Sequence, residues 1–126
     1  MTRLRTVLVD DHADFRRLAQ VLLSELPDVE LVAMGGNGEE AVRLCEQYRP
    51  ELLLCDIAMP RMGGIQATRL VKAQDHPPIV ALISVYGDAE HRSHAQSAGA
   101  DHFINKVDFL PAVVDLVAQL TEQHHA

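Results

Sequence analysis

The chain has 126 residues, 48% of them hydrophobic and 23% charged, with a formal net charge of −7. That is the length and composition of one globular domain around a single core, and it is wrong for a disordered protein. The acidic balance argues against a grip on nucleic acid or on an anionic membrane by this chain, since both call for a basic stripe; nor does any apolar run approach the roughly 18 residues of a membrane-spanning helix.

In chain order, Thr6-Val7-Leu8-Val9 reads as a short strand. Phe15, Leu18, Ala19, Leu22 and Leu26 then follow at the spacing of one helical face, which Pro27-Asp28 ends. Val29 to Met34 is a second strand. Gly35-Gly36-Asn37-Gly38 is a turn, and Asn37 is placed to cap a helix carrying Ala41, Leu44, Cys45 and Tyr48. Leu52-Leu53-Leu54-Cys55 is a strand apolar on both faces. Pro60, Gly63 and Gly64 lead into a third helix that reaches about Ala73, and Ile79 to Ile83 is again apolar on both faces. A fourth helix, from about Asp88 to Ser97, offers only alanines to a core, which predicts weak docking and easy movement. His102-Phe103-Ile104 is a short fifth strand. The last helix starts near Asp108, carries Leu110, Val113, Val114, Val117 and Leu120 on one face, and tolerates Pro111 in its first turn. Cys45 and Cys55 lack C-x-x-C spacing and read as reduced, buried fillers. With no secretory apolar segment at the N-terminus, they suggest a cytoplasmic protein.

Strands that alternate with helices, the inner ones apolar on both faces, predict an α/β fold. It is a flavodoxin-like, doubly wound, five-stranded parallel sheet in the order 2-1-3-4-5, with helices on both faces. Ligands of such sheets bind beyond the C-terminal strand ends, where strand order reverses. Asp10 and Asp11 follow the first strand, Asp56 the third, Ser84 the fourth and Lys106 the fifth, whereas the second strand brings nothing polar. Three converging carboxylates cannot all stay ionised without a counter-charge. A hard divalent cation is the simplest remedy, and Mg²⁺ typically takes one or two carboxylates, a carbonyl and several waters. Lys106, one of only two lysines, adds a point charge suited to an anionic ligand. Together these residues describe a phosphoryl-transfer site whose nucleophile is a carboxylate. Asp56, alone at the end of the central strand, is the candidate nucleophile, while the pair Asp10-Asp11 is suited to hold metal. His12 is read as a surface or packing histidine.

The motifs Val-Asp-Asp-His at 9–12, Asp-Ile-Ala-Met-Pro-Arg-Met-Gly-Gly at 56–64, Ser84 and Phe-Ile-Asn-Lys at 103–106 resemble the receiver domain of bacterial two-component response regulators. The likeness runs from about residue 4 to 121. The Asp-Asp-His opening and the non-proline after Lys106 resemble receivers of the NarL/FixJ type, which precede a helix-turn-helix DNA-binding domain. The resemblance implies that residues 1–126 form one receiver domain with no output domain in this chain. It implies that Asp56 accepts a phosphoryl group from the phosphohistidine of a sensor histidine kinase or histidine phosphotransfer protein. Mg²⁺ would be held by Asp11, Asp56 and the backbone carbonyl of Ala58, with Asp10 acting mainly through water. Ser84 and Lys106 would bond phosphoryl oxygens. Movement of Ser84 would let Phe103 turn inward and reshape the face of the fourth helix, fifth strand and fifth helix; the fourth and fifth helices also form a candidate homodimer surface. Ala58 and Tyr86 would flank the path of an attacking water and tune the phosphorylated lifetime. Two positions depart from the pattern. Gly63 replaces a usual Asp or Asn and removes a turn-capping bond. Val107 stands where many receivers carry a cis proline, and a cis bond to valine would cost about 2.5–4 kcal/mol.

Three other readings fit less well. A Mg²⁺-dependent phosphohydrolase with an aspartyl-phosphate intermediate usually needs Asp-x-Asp after the first strand and a cap, and neither is present in this sequence. A flavodoxin-like cofactor binder would not open its first loop with two aspartates. A degenerate receiver, serving as an interaction module alone, would not keep all five site residues.

Overall fold

The structure, a computed structural model, describes residues 3–85 and 89–125. Five strands, β1 (Leu4–Val9), β2 (Val29–Gly35), β3 (Leu52–Asp56), β4 (Ile79–Ser84) and β5 (His102–Asn105), pair in parallel in the order β2-β1-β3-β4-β5. Five helices connect and follow them: α1 (Ala13–Ser24), α2 (Gly38–Tyr48), α3 (Gly64–Lys72), α4 (Ala89–Ala98) and α5 (Phe109–His125), the last preceded by a 3-10 turn (Lys106–Asp108). The order and layering are those the sequence predicts.

Two apolar layers sandwich the sheet because strand side chains alternate between its faces. Leu8, Leu52, Leu54, Ala81, Ile83 and Ile104 face α1 and α5. Val7, Val9, Leu53, Cys55, Val80 and Leu82 face α2, α3 and α4. Every residue of β3 is buried, as expected of a central strand covered on both sides. Ala95 and Ala98 are the buried contacts of α4 among its described side chains, in keeping with its thin predicted docking.

Helix-face details differ from the periodicity. Leu18 is 55% exposed, and Ala19 and Leu23 are the buried residues of α1. The buried face therefore centres on Phe15, Ala19, Leu22, Leu23 and Leu26, and a helix of 3.6 residues per turn carries Leu18 to its flank. Val114 likewise is 43% exposed, while Phe109 and Leu116 join Val113, Val117 and Leu120 in the core. Asn37 does cap α2: its side chain accepts from Glu40 N at 2.9 Å, and Glu40 Oε1 reaches back to Gly36 N at 2.6 Å. Two close backbone approaches seat the loop after β3. Gly38 N donates to Met62 O at 2.9 Å and Gly64 N to Ile57 O at 2.8 Å. A Cβ at Gly38 would stand 2.4 Å from Met62 O, and one at Gly64 would stand 2.2 Å from Asp56 O.

Lys72, the other lysine, is spent on the opposite side of the fold. Its Nζ pairs with Asp101 Oδ2 at 2.7 Å and donates to Pro78 O at 2.7 Å, while Asp101 Oδ2 also accepts from Val80 N at 2.8 Å. This clamp ties α3 to the start of β4 and the turn before β5. No helix among the described residues is long and apolar enough to cross a membrane.

Candidate functional site

Parallel register gathers the predicted residues at one edge. Val9 pairs with Cys55 and Asp56 with Ile83, so Asp10, the residue after β1, emerges beside the end of β3. Ser84 pairs with Asn105, which sets Lys106 one residue beyond the last rung of β4 and β5. Asp10, Asp56 and Ser84 are buried. Asp10, Asp11, His12 and Asp56 each offer one ligand atom, and these atoms all lie within 4.8 Å of one another. Asp10 N donates to Gly35 O at 3.0 Å and Arg16 donates to Asp10 O, so the loop after β1 is held from both sides.

The ammonium of Lys106 is shared unequally. Its Nζ lies 2.8 Å from Asp10 Oδ2 and 3.9 Å from Asp56 Oδ2. It also sits 4.2 Å from the centroid of the Phe15 ring, a cation–π contact that anchors the side chain at the foot of α1. Phe15 meets Phe109 edge to face at 5.2 Å, linking α1 to α5 under the lysine. Burial pushes the Asp56 carboxyl up to about 6, with repulsion from Asp10 and, more weakly, Asp11 adding to it. Lys106 and a hydrogen bond from the Ala58 amide oppose that rise without cancelling it. The site is thus short of positive charge. Asp10 Oδ2 and Asp11 Oδ1 are buried and receive no directed hydrogen bond, the lysine meeting Asp10 as an ion pair. Buried carboxylates with lone pairs to spare fit a hard divalent cation.

The remaining predicted residues sort as follows. Ala58 presents its amide to Asp56. Phe103 is partly buried against the α2–α4 layer, and the Arg92 guanidinium of α4 stands 5.1 Å from its ring centroid. Gly63 is the N-cap of α3 and makes no side-chain cap, as its lack of a side chain predicts. The described peptide bonds include no cis bond, so Lys106-Val107 is trans; Asn105 caps the turn by accepting from Val107 N at 3.1 Å. Tyr86 lies outside the described residues. Cys45 and Cys55 are buried free thiols; burial pushes Cys45 up to about 12 and raises Cys55 as well.

Sequence reasoning gave no role in the site to Phe15, Arg16 or Arg92. His12 is the surface histidine it expected, 66% exposed, and its Nδ1 also lies 3.3 Å from Asp10 Oδ1 and 3.2 Å from Asp11 Oδ1. Its adjacency to the acidic pair was the available signal. Phe15 and Arg16 occupy the first turn of α1, which points back at the strand end; that helical position was the signal for both. Arg92 carried none, because its contact with Phe103 joins two elements by packing alone.

The response regulator receiver domain profile matches residues 6–118. The chain is 36% identical over 121 residues to the transcriptional regulatory protein DegU of Brevibacillus brevis, covering 93% of this chain and 51% of that protein. It is 34% identical over 116 residues to the chemotaxis protein CheY of Halobacterium salinarum, covering 92% and 95%. A protein-glutamate methylesterase/protein-glutamine glutaminase of Alkalilimnicola ehrlichii is 36% identical over 105 residues, which is 82% of this chain and 27% of that enzyme. The chain therefore spans about half, or about a quarter, of the longer relatives. Among solved structures, the signal receiver domain of NarL from Mycobacterium tuberculosis superposes with a TM-score of 0.85 at 30% identity, over 94% of this chain and 98% of that one. With its profile match, its sheet order and the acidic edge in register, the chain belongs to the response regulator receiver domain family of two-component signalling.

Proposed function

We propose that this chain is a phosphorylation-dependent switch in which Asp56 accepts a phosphoryl group from the phosphohistidine of a sensor histidine kinase or a histidine phosphotransfer protein. The observation that carries this reading is the convergence of Asp10, Asp11, Asp56 and Lys106 at one sheet edge. A carboxylate oxygen of Asp56 bonds to phosphorus as the P–N bond of the donor breaks. The electron pair stays with the imidazole nitrogen, which takes up a proton. A carboxyl group raised to about 6 is still mostly ionised near pH 7, so the nucleophile is present in its reactive form. Asp10, Asp11, Asp56 and the Ala58 backbone carbonyl are the residues that would hold Mg²⁺. When bound, the ion supplies positive charge to the transferring oxygens.

Lys106 exchanges its contact with Asp10 for a phosphoryl oxygen, and the Ser84 hydroxyl donates to another. Charge-assisted hydrogen bonds of this kind are worth about 1.5–3 kcal/mol each. A switch from about 1:99 to 99:1 requires roughly 5.5 kcal/mol of differential interaction, within the reach of a few such bonds. Ser84 moving toward the phosphoryl group opens room for Phe103, which releases Arg92 and reshapes the α4–β5–α5 face. Thin packing suits α4 to move. That face then controls an output domain or partner, and its α4–α5 part serves as a homodimer surface. The chain contacts no nucleic acid itself, assists only its own phosphorylation and dephosphorylation, and works in the cytoplasm.

Intact mass spectrometry after incubation with Mg²⁺ and acetyl phosphate tests the reading. Wild type gains about 80 Da, the mass of one phosphoryl group, and Asp56→Asn gains nothing. Equal labelling of the two proteins refutes Asp56 as the acceptor.

A further inference from the structure

His12 is the residue of the acidic edge that phosphoryl transfer leaves unused. It is the N-cap of α1, yet its side chain makes no capping hydrogen bond. Ser, Thr, Asp and Asn favour that position because a short side-chain oxygen accepts from the first turn. Instead Nδ1 lies 3.2 Å from Asp11 Oδ1 and in hydrogen-bond contact with Asp10 Oδ1 at 3.3 Å. Donor atoms around an octahedral ion with bonds of about 2.0–2.1 Å stand about 3 Å apart when adjacent. His12 Nδ1 is near that spacing from both carboxylates. Asp10 is fully buried; its Oδ2 faces the Lys106 ammonium at 2.8 Å as an ion pair, and neither it nor Asp11 Oδ1 receives a directed hydrogen bond.

We propose that His12 supplies a nitrogen ligand to this cation site and gives it an affinity for ions of the Ni²⁺ and Zn²⁺ class beyond what the carboxylates provide. The inference rests on the receiver reading for the place of the cation. Mg²⁺ keeps oxygen ligands and water and dehydrates reluctantly, whereas imidazole suits Ni²⁺ and Zn²⁺. His12 therefore discriminates between classes of ion. It adds to the binding of Ni²⁺ and Zn²⁺ and little to that of Mg²⁺, so a trace transition ion competes with Mg²⁺ at the phosphorylation site.

Calorimetric titration of Ni²⁺ and of Mg²⁺ into wild type, His12→Ala and Asp11→Asn provides the test. The His12 side chain is 66% exposed and caps nothing, so its removal leaves the fold in place. His12→Ala is expected to weaken Ni²⁺ by about 10–100-fold, the scale on which even supporting groups of a metal site act, and Mg²⁺ by less than about threefold. Asp11→Asn weakens both ions. In wild type, Zn²⁺ shifts the ¹⁵N resonance of His12 Nδ1. Unchanged Ni²⁺ affinity in His12→Ala, as when the other histidines hold the ion, overturns the proposal. So does an equal loss for both ions, which would mean that the imidazole only positions the carboxylates. Acetyl phosphate labelling separates the two readings: a wild type that labels at Asp56 but fails the Ni²⁺ comparison loses only the role of His12. A wild type that never labels loses the receiver reading itself.

Discussion

Replacing Asp56 by asparagine should make the protein more stable, although it removes the proposed phosphoacceptor. The Asp56 side chain is 6% exposed, and its carboxyl is raised from 3.8 to about 6, chiefly by burial and by the charge of Asp10. The native state therefore binds this proton more tightly than the unfolded chain does. Its contribution to stability is complete below about pH 3.8 and is lost as pH rises through about 6. At about 1.4 kcal/mol for each pH unit between the two values, the ionised group costs the native state up to about 3 kcal/mol at pH 7.5. Asparagine keeps the shape and carries no charge, so Asp56→Asn recovers most of that cost. The same linkage leaves a gain of about 1 kcal/mol at pH 4.5. Urea unfolding followed by far-ultraviolet circular dichroism at both pH values measures the difference. With slopes of about 1–3 kcal/mol/M, the variant's midpoint at pH 7.5 should lie about 1 M or more above wild type. Millimolar Mg²⁺ should narrow the gap, because a cation bound to the native carboxylates stabilises wild type more than the variant. An Asp56→Asn midpoint at or below wild type at pH 7.5 refutes the electrostatic reasoning, as does a gain that fails to shrink at pH 4.5.

Three further outcomes follow from the same geometry. Lys106→Met keeps a stem over Phe15 but leaves Asp10 buried without its ammonium, so urea unfolding at pH 7.5 should show a loss of about 3 kcal/mol; an unchanged midpoint would mean that the pair contributes nothing. Gly64→Ala forces a Cβ to 2.2 Å from Asp56 O and should cost about 1–3 kcal/mol and slow acetyl phosphate labelling. Gly36→Ala, whose nearest contact is the Arg16 guanidinium at 3.4 Å, should cost less, and equal losses would contradict the close-approach argument. Arg92→Ala removes the cation from the Phe103 ring, a contact worth about 0.5–1 kcal/mol, and should tighten beryllofluoride binding by about 2–5-fold. Unaltered affinity would show that the contact does not bias Phe103.

Much of this molecule was legible in the sequence for a physical reason: the features in question are periodic or sit at fixed chain positions. Strands apolar on both faces have to be covered on both sides, which led to the parallel sheet and to the order β2-β1-β3-β4-β5. Parallel strands all end at the same edge, so the polar residue after each one could be assigned to the site before any distance was known. Asn37 and Gly63 act through local backbone chemistry and behave as their residue types require.

Only the tertiary structure decided matters that depend on several elements meeting. Helical periodicity placed Leu18 and Val114 on apolar faces, but how each helix rolls on the sheet left both exposed. The composition set two lysines apart without saying what they do. Packing assigns Lys72 to a structural clamp with Asp101, and Lys106 to Asp10 more closely than to Asp56. The arginine over Phe103 and the raised carboxyl of Asp56 likewise arise only when separate segments are brought within a few ångströms. Residue type and chain position set which groups reach the edge. Burial and the angles between packed elements set their charge, their partners and their room to move.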